Sequence, residues 1–300
     1  MNKIAITTSS FAKDKPEILK LIPPTYEILM NPHGRTVKTE ELVQIAAEAV
    51  GIIAGTEKYD SALLSKLPHL KIISRVGVGM ESIDMAAAKA LGIKVVNTPD
   101  GPTQAVAELV IGLILSLLRK TYAMDRELRQ GNWKKEMGNL LSGKTVGIVG
   151  MGRIGRRVAE LVAAFGAKVV FTDVAMDVKF QNATQLPLNE LLKGSDIVTL
   201  HCSAKGKLIG VPELQVMKKG SWLINAARGT LIDETALVES LKNGHLAGVS
   251  LDVFEQEPYS GPLTRLQNVI LTPHIGSYAT ESRVQMESDA IKNLLEGLKE

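Results

Sequence analysis

Short apolar runs rich in β-branched residues alternate along this chain with segments of helical period. The N-terminal part carries "KIAITT", "YEILM", "VGIIAG", "LKIISRV" and "IKVVNTP", with helix-like stretches such as Thr39 to Glu48 between them. After Pro99 the pattern predicts a long, almost wholly apolar helix from Thr103 to Arg119, continuing with more polar residues toward Arg129. A second alternating series starts at "KTVGIVG" and runs through "AKVVFTD", "SDIVTLH", "GSWLINAA", "HLAGVSLDVF" and "NVILTPH". Strands alternating with helices mean βαβ units around parallel sheets. Two such series predict an α/β protein with two doubly wound parallel-sheet domains. The expected division is 1–98 with 277–300, the closing helical segment Thr280 to Leu298 packing back on the first domain, and 99–276.

Composition narrows the function classes. Three hundred residues suffice for two domains with substantial cores, and the formal charge of +3 is small and scattered. Neither a nucleic-acid nor a membrane footprint is therefore expected. The most apolar stretch, Leu109 to Leu118, is about half of what spans a bilayer and reads as a buried helix. The single Cys202 rules out an intrachain disulfide, and "MNKIAITTSS" has no signal-peptide pattern, so a cytoplasmic location is expected.

Candidate chemistry begins at "GIVGMGRIGRRVAE", where Gly150, Gly152 and Gly155 stand in the spacing G-x-G-x-x-G. That spacing is weak alone, but "KTVGIVG" before it is a buried-strand pattern and "RIGRRVAELVAAFG" after it is a helix pattern. In such a turn the first glycine permits the bend, the second lets the backbone approach a pyrophosphate, and the third lets helix and strand pack closely. Amides at the helix start, around Arg153 and Ile154, hold the phosphates. Asp173, at the end of "AKVVFTD", stands where an acid accepts hydrogen bonds from an adenosine ribose and repels a 2′-phosphate. The cofactor read from these residues is NAD rather than NADP.

Three later strands end in polar groups, "NAARGTLID", "SLDVFEQEP" and "TPHIGS". In an open parallel sheet ligands bind beyond the carboxyl ends of the strands. Arg228 offers a fork of donors for a carboxylate, Glu257 an acid, and His274 an imidazole able to carry a proton near neutral pH. His201 also ends a strand, and periodicity alone does not rank it below His274.

With these motifs in hand the chain resembles the D-isomer-specific 2-hydroxyacid dehydrogenases, and phosphoglycerate dehydrogenases among them. The resemblance covers nearly all of the chain and rests on "RVGVGMESID", "NTP", "VAE", "GKTVGIVGMGRIG", "NAARGTLID", "LDVFEQEP" and "PHIGS", in the family's order and spacing. It implies a Rossmann-type nucleotide domain plus a flavodoxin-like substrate domain. It implies that Arg228 binds the substrate carboxylate and carbonyl, that His274 is the acid/base, and that Glu257 holds and polarises it. Asp252 would contact the nicotinamide carboxamide, backbone amides around Val76, Gly77, Val78 and Gly79 would help hold the carboxylate, and His201, Cys202, Ala226 and Gly276 would line the cofactor. The helix after Pro99 would build a homodimer interface. The chain departs from the family at "LHCSAKGKLIG", which is shorter than the usual loop and lacks its Pro and Thr, and at Glu81 and Ser82, where an Asp-Asn pair is common.

The expected reaction is NAD-dependent hydride transfer between a D-2-hydroxy acid and its 2-keto acid, with 3-phosphoglycerate the first candidate. Lys58 and Arg75, with Lys134 and Lys135 beside Trp133, are the cations available to a phosphate. A glyoxylate- or hydroxypyruvate-type reductase is the alternative within the fold, and an NAD-sensing protein of transcriptional corepression the alternative outside catalysis. His33, His69 and His245 show no metal-ligand spacing, and no metal is expected.

Overall fold

The computed structural model describes residues 1–175, 178–180, 183–204 and 206–299. The chain divides into two compact units, Met1–Pro102 with Ser277–Glu300, and Thr103–Gly276. The first boundary falls after Pro102, four residues beyond the expected one, where the long apolar helix begins.

The first unit holds a parallel sheet of β1 (Asn2–Ile6), β2 (Tyr26–Met30), β3 (Ala49–Ala54), β4 (Ile72–Arg75) and β5 (Lys94–Asn97), in the order β2-β1-β3-β4-β5. Successive strand residues point to opposite faces, and β-branched side chains on both faces let both be buried, as a parallel sheet requires. Ile52 and Ile73 pack with Leu42, Ala46, Leu63 and Leu64 on one face. Ile4, Ile6, Ile53 and Ile72 pack on the other against Met286, Ala290, Ile291 and Leu294 of the closing helix, Thr280–Gly297. Gly51 lies under that helix, where an added Cβ would come within 3.2 Å of Leu294 Cδ1. The helix also brings in a buried carboxylate, Glu287, which accepts from Arg283 Nε at 2.7 Å and from the Ala12 amide at 2.9 Å.

The second unit holds seven parallel strands: β6 (Thr145–Val149), β7 (Lys168–Thr172), β8 (Ala183–Gln185), β9 (Ile197–Leu200), β10 (Ser221–Asn225), β11 (Leu246–Leu251) and β12 (Val269–Leu271). Their order is β12-β11-β10-β9-β6-β7-β8, with the chain reversing direction of travel at the β6/β9 pair. Thr172, Val149, Leu200, Asn225, Leu251 and Leu271 are consecutive register partners across the sheet. Six strands therefore end in one row, and the residues that follow them emerge along one edge.

Two features differ from the sequence expectation. The helix after Pro99 is two helices, Pro102–Arg119 and Thr121–Arg129, broken at Lys120, whose φ of 53° is left-handed. A hydrogen bond between the Ser116 and Thr121 hydroxyls and a Lys120–Glu136 ion pair hold the break. The short edge strand β8 was not foreseen, because "ATQ" carries no apolar signal; it forms by pairing with β7. The helix Pro102–Arg119 is long and apolar enough by composition to cross a membrane, with a mean hydropathy of 1.4. Half of it is buried, and Ala107, Val110, Ile114, Leu117 and Leu118 pack with Ile148, Val158 and Phe171 in the core of the second unit.

Candidate active site

At the β6/β9 pair the sheet opens onto the glycine turn. Gly150 takes a φ of 96°, and a Cβ there would lie 2.8 Å from the Cys202 amide nitrogen. Gly155, one turn into the helix Arg153–Ala164, passes so close that its Cβ would lie 2.0 Å from the Gly150 carbonyl oxygen. These two glycines are required by the protein's own packing. Gly152 is different: nothing lies within 4 Å of a Cβ placed on it. It is the N-cap of the helix and no side chain caps it there, so the first-turn amides are left to an outside acceptor. Arg153 heads that turn, and Ile154 is partly buried against the core beneath it.

Asp173, directly after β7, accepts from the Met151 amide at 2.6 Å through Oδ2 and from the Ala175 amide at 2.9 Å through Oδ1. The structure thus brings the acid and the glycine turn together. An uncapped helix start, an open glycine and an acid beside them fit a dinucleotide with its diphosphate on the helix and a ribose at the carboxylate.

His201 follows β9, its amide donating to the Val149 carbonyl at 2.7 Å. Its Nε2 lies 2.9 Å from Thr199 Oγ1 and its Nδ1 is buried without a partner among the described residues. Burial pushes its pKa down to about 3, so the ring is neutral at ordinary pH and is no competitor for the role of proton donor near neutrality. Cys202 is partly buried, and burial raises its thiol above the usual range, which disfavours a thiolate. In the shortened loop that follows, Lys205 lies outside the described residues.

Arg228, Asp252 and His274 follow β10, β11 and β12, three adjacent strands ending in register. The backbone of the Arg228 turn is set by Asn225, whose side chain donates to the Arg228 carbonyl at 2.8 Å and accepts from the Ala227 amide at 3.0 Å. Ala226 sits between them, packed on the core. Gly229 lets the turn lie against the next strand's exit, since a Cβ would fall 1.9 Å from the Phe254 carbonyl oxygen.

Glu257 is held at both oxygens. Oε1 accepts from the Phe254 amide at 3.0 Å and Oε2 faces His274 Nδ1 at 2.8 Å. A carboxylate only accepts, so Nδ1 carries the hydrogen in this pair. Nε2 has no partner among the described residues, and the His274 side chain is 56% exposed. An imidazole anchored at one nitrogen by an acid and free at the other is built to exchange a proton with a ligand. His274 also has a φ of 55°, a left-handed conformation costly for a residue with a side chain.

Asp252 is buried, with Oδ1 accepting from Thr272 Oγ1 and the Ile275 amide and Oδ2 from the Gly276 amide. Gly276 is buried too and spends its amide on that carboxylate. Thr272 carries no signal in the sequence beyond its place before Pro273 and His274.

In the first unit the segment after β4 behaves differently from the expectation that its amides are available to a carboxylate. The Val76 amide donates to the Ala54 carbonyl at 2.9 Å and the Gly77 amide to Thr98 Oγ1 at 2.8 Å, because the turn is stitched to its neighbouring strands. The amides of Val78 and Gly79 have no partner among the described residues. Gly77 has a φ of 124°, and a Cβ there would collide with the Arg75 guanidinium, which donates to the Val76 carbonyl.

Comparison with known proteins gives a consistent picture. Residues 111–276 match the family model described as the NAD binding domain of the D-isomer specific 2-hydroxyacid dehydrogenases. The glyoxylate reductase of Aeropyrum pernix is 37% identical over 298 residues, covering 93% of this chain and 89% of that protein. The D-3-phosphoglycerate dehydrogenase of Methanocaldococcus jannaschii is 38% identical over 273 residues, 87% of this chain and 52% of that one. Among solved structures, the TT0316 protein of Thermus thermophilus superposes with a TM-score of 0.92 at 35% identity, covering 99% of this chain and 97% of the other.

Proposed function

The chain belongs to the D-isomer specific 2-hydroxyacid dehydrogenases, and from that premise we propose that it reduces a short, unphosphorylated 2-keto acid such as glyoxylate, with His274 as the proton donor. NAD is the cofactor of the matched domain and, when bound, exchanges a hydride with the substrate's second carbon. The observation that carries the proposal is the His274–Glu257 pair, with Nδ1 fixed at 2.8 Å and Nε2 left open.

In this reading Arg228 grips the substrate carboxylate and carbonyl with its planar fork of donors. His274 enters reduction protonated and gives its Nε2 proton to the carbonyl oxygen as the carbon beside it is reduced. Glu257 accepts from Nδ1 at 2.8 Å and keeps the ring from turning, so that Nε2 faces the substrate. In the oxidative direction neutral His274 takes the hydroxyl proton back.

Of the cations offered to a phosphate, Lys58 lies 3.9 Å from Asp60, Lys134 lies 3.3 Å from Glu136, and Arg75 donates to its neighbour's carbonyl. Three of the four have partners of their own and Lys135 has none among the described residues; the three engaged cations weaken the case for 3-phosphoglycerate and favour a small acid whose only charge is its carboxylate. Similarity to glyoxylate reductases points the same way. Oxidation of 3-phosphoglycerate is the second reading, supported by similarity to phosphoglycerate dehydrogenases. An assembly follows from the same premise: a homodimer on the helix Pro102–Arg119 and the segment after it, where Leu128, Trp133, Met137 and Leu140 are 55%, 77%, 91% and 70% exposed.

NADH consumption with glyoxylate, hydroxypyruvate and 3-phosphohydroxypyruvate tests the reading. Glyoxylate is expected to have the highest kcat/KM of the first and third. A preference for the phosphorylated acid would transfer the assignment to phosphoglycerate, and no turnover of any 2-keto acid would leave a nucleotide-sensing protein.

A further inference from the structure

The left-handed backbone of His274 has to be held by something, since a residue with a side chain does not rest there unaided. Glu257 fixes the ring but not the main chain. The main chain is fixed from both sides by one buried carboxylate. Thr272 Oγ1 donates to Asp252 Oδ1 at 2.6 Å, two residues before His274; the amides of Ile275 and Gly276, immediately after it, donate to Oδ1 and Oδ2 at 2.8 Å each. Asp252 is itself rooted in the sheet, its amide donating to the Asn225 carbonyl at 2.9 Å, and Thr272 is rooted in the same way on the Leu251 carbonyl at 3.0 Å. There is no slack on the far side: a Cβ on Gly276 would stand 3.1 Å from Asp252 Oδ2 and 3.2 Å from Val106 Cγ2.

We infer that Thr272 and Asp252 form a strap that sets the angle at which His274 presents Nε2, and that both are positioning residues for proton transfer. The inference rests on the assignment of His274 as proton donor and deepens it. A hydroxyl donating to a carboxylate at 2.6 Å is a strong, charge-assisted bond, and the single hydrogen of Thr272 is spent on it. Without it, one of the three bonds that tie residues 272–276 to Asp252 is gone, while the Thr272 and His274 amide bonds, Glu257 and the glycine turn are untouched. The strap leaves one lone-pair direction of Oδ2 for a further donor, so it is compatible with the cofactor contact that the family resemblance gives Asp252.

Thr272→Val removes the hydroxyl at nearly constant shape, and Thr272→Ser restores it. The quantities to measure are kcat and KM for glyoxylate reduction, the Kd of NADH by fluorescence, the pH midpoint of kcat/KM, and the thermal midpoint. Thr272→Val is expected to lose roughly 10- to 100-fold in kcat, the order of loss that a misplaced reacting group causes. The Kd of NADH and the pH midpoint should stay as in the parent, because the cofactor turn and the Glu257 charge are intact. Thr272→Ser should recover most of the rate, and Asp252→Asn should lose at least as much as the valine variant. Parental kcat in Thr272→Val, or a loss that Ser does not rescue, would overturn the strap. His274→Ala in the same assay separates the two ideas: a fully active His274→Ala removes the assignment of the proton donor, whereas an inactive one beside an active Thr272→Val removes the strap alone.

Discussion

Glu257 stands between two donors, the Phe254 amide on Oε1 and His274 Nδ1 on Oε2, so its carboxylate can neither rotate nor drift from the imidazole. Replacing it by Gln removes the charge at nearly the same shape. The amide can still accept from Nδ1–H through its oxygen, but it can also turn and present its NH2, so the ring is held less firmly. We expect kcat for reduction to fall by roughly 10- to 100-fold in Glu257→Gln, the order of loss that a misplaced reacting group causes, with the Kd of NADH unchanged. Parental kcat in the variant would mean that the carboxylate does not position the ring.

Two glycines of the turn, Gly155 and Gly152, should respond differently to the same substitution. In Gly155→Ala the new methyl would sit 2.0 Å from the Gly150 carbonyl oxygen, and moving backbone is costly. We expect a loss of ~2–3 kcal/mol in unfolding free energy without cofactor. Gly152→Ala meets open space, so its stability without cofactor should match the parent while NAD binding weakens. Calorimetry of both variants with and without NAD decides this, and a Gly152→Ala protein that binds NAD as tightly as the parent would show that nothing approaches the backbone there.

Asp173 holds the Met151 amide at 2.6 Å and so lies against the turn that would receive the diphosphate. Asp173→Ala removes an acceptor for a ribose and the charge that repels a 2′-phosphate, and both losses narrow the preference for NAD over NADP. The Kd values of NADH and NADPH in the variant should converge. Unchanged discrimination would take Asp173 out of the site.

His201 makes a pH-dependent contribution to stability. Its pKa falls from 6.5 to about 3 on folding, because burial penalises the charged ring. Above pH 6.5 the ring is neutral in both states and contributes nothing to the pH slope. As pH falls from 6.5 toward 3, the unfolded chain takes up a proton that the folded chain refuses, and stability is lost. The loss should reach on the order of 4 kcal/mol at the acid end of that window. Urea unfolding of parent and His201→Gln as a function of pH should show a shallower acid slope in the variant; parallel slopes would place the protonated ring in solvent.

Much of this architecture is legible in the chain because the signals are strong and local. "KTVGIVG" becomes β6 and the glycine spacing becomes the turn, with Gly150 and Gly155 each meeting a demand visible in the backbone and Gly152 left open. Arg228, Glu257 and His274 stand out in the sequence as polar residues following apolar strands, Asp252 only through the family resemblance, and register places Arg228, Asp252 and His274 at one sheet edge. What escaped depends on contacts between distant segments. β8 exists because β7 offers it a ladder, and "ATQ" alone says nothing of that. The break at Lys120 comes from a left-handed residue inside an otherwise helical pattern, which periodicity cannot register. The Val76 and Gly77 amides looked available because Ala54 and Thr98, which take them, lie far off in sequence. Thr272 escaped because a threonine ending a strand is unremarkable until Asp252 is found 2.6 Å away.

The most direct measurement is kcat/KM for glyoxylate reduction by NADH in the parent and in His274→Ala, taken alongside the Kd of NADH. His274 Nε2 is the open end of an imidazole that Glu257 anchors at 2.8 Å, and removing it takes away the proton donor without touching the glycine turn. The expected result is a fall of roughly two to four orders of magnitude in turnover, the range for a positioned acid, with NADH binding unchanged. A His274→Ala enzyme that turns over glyoxylate within about threefold of the parent would contradict the assignment, since a positioned acid contributes far more than that.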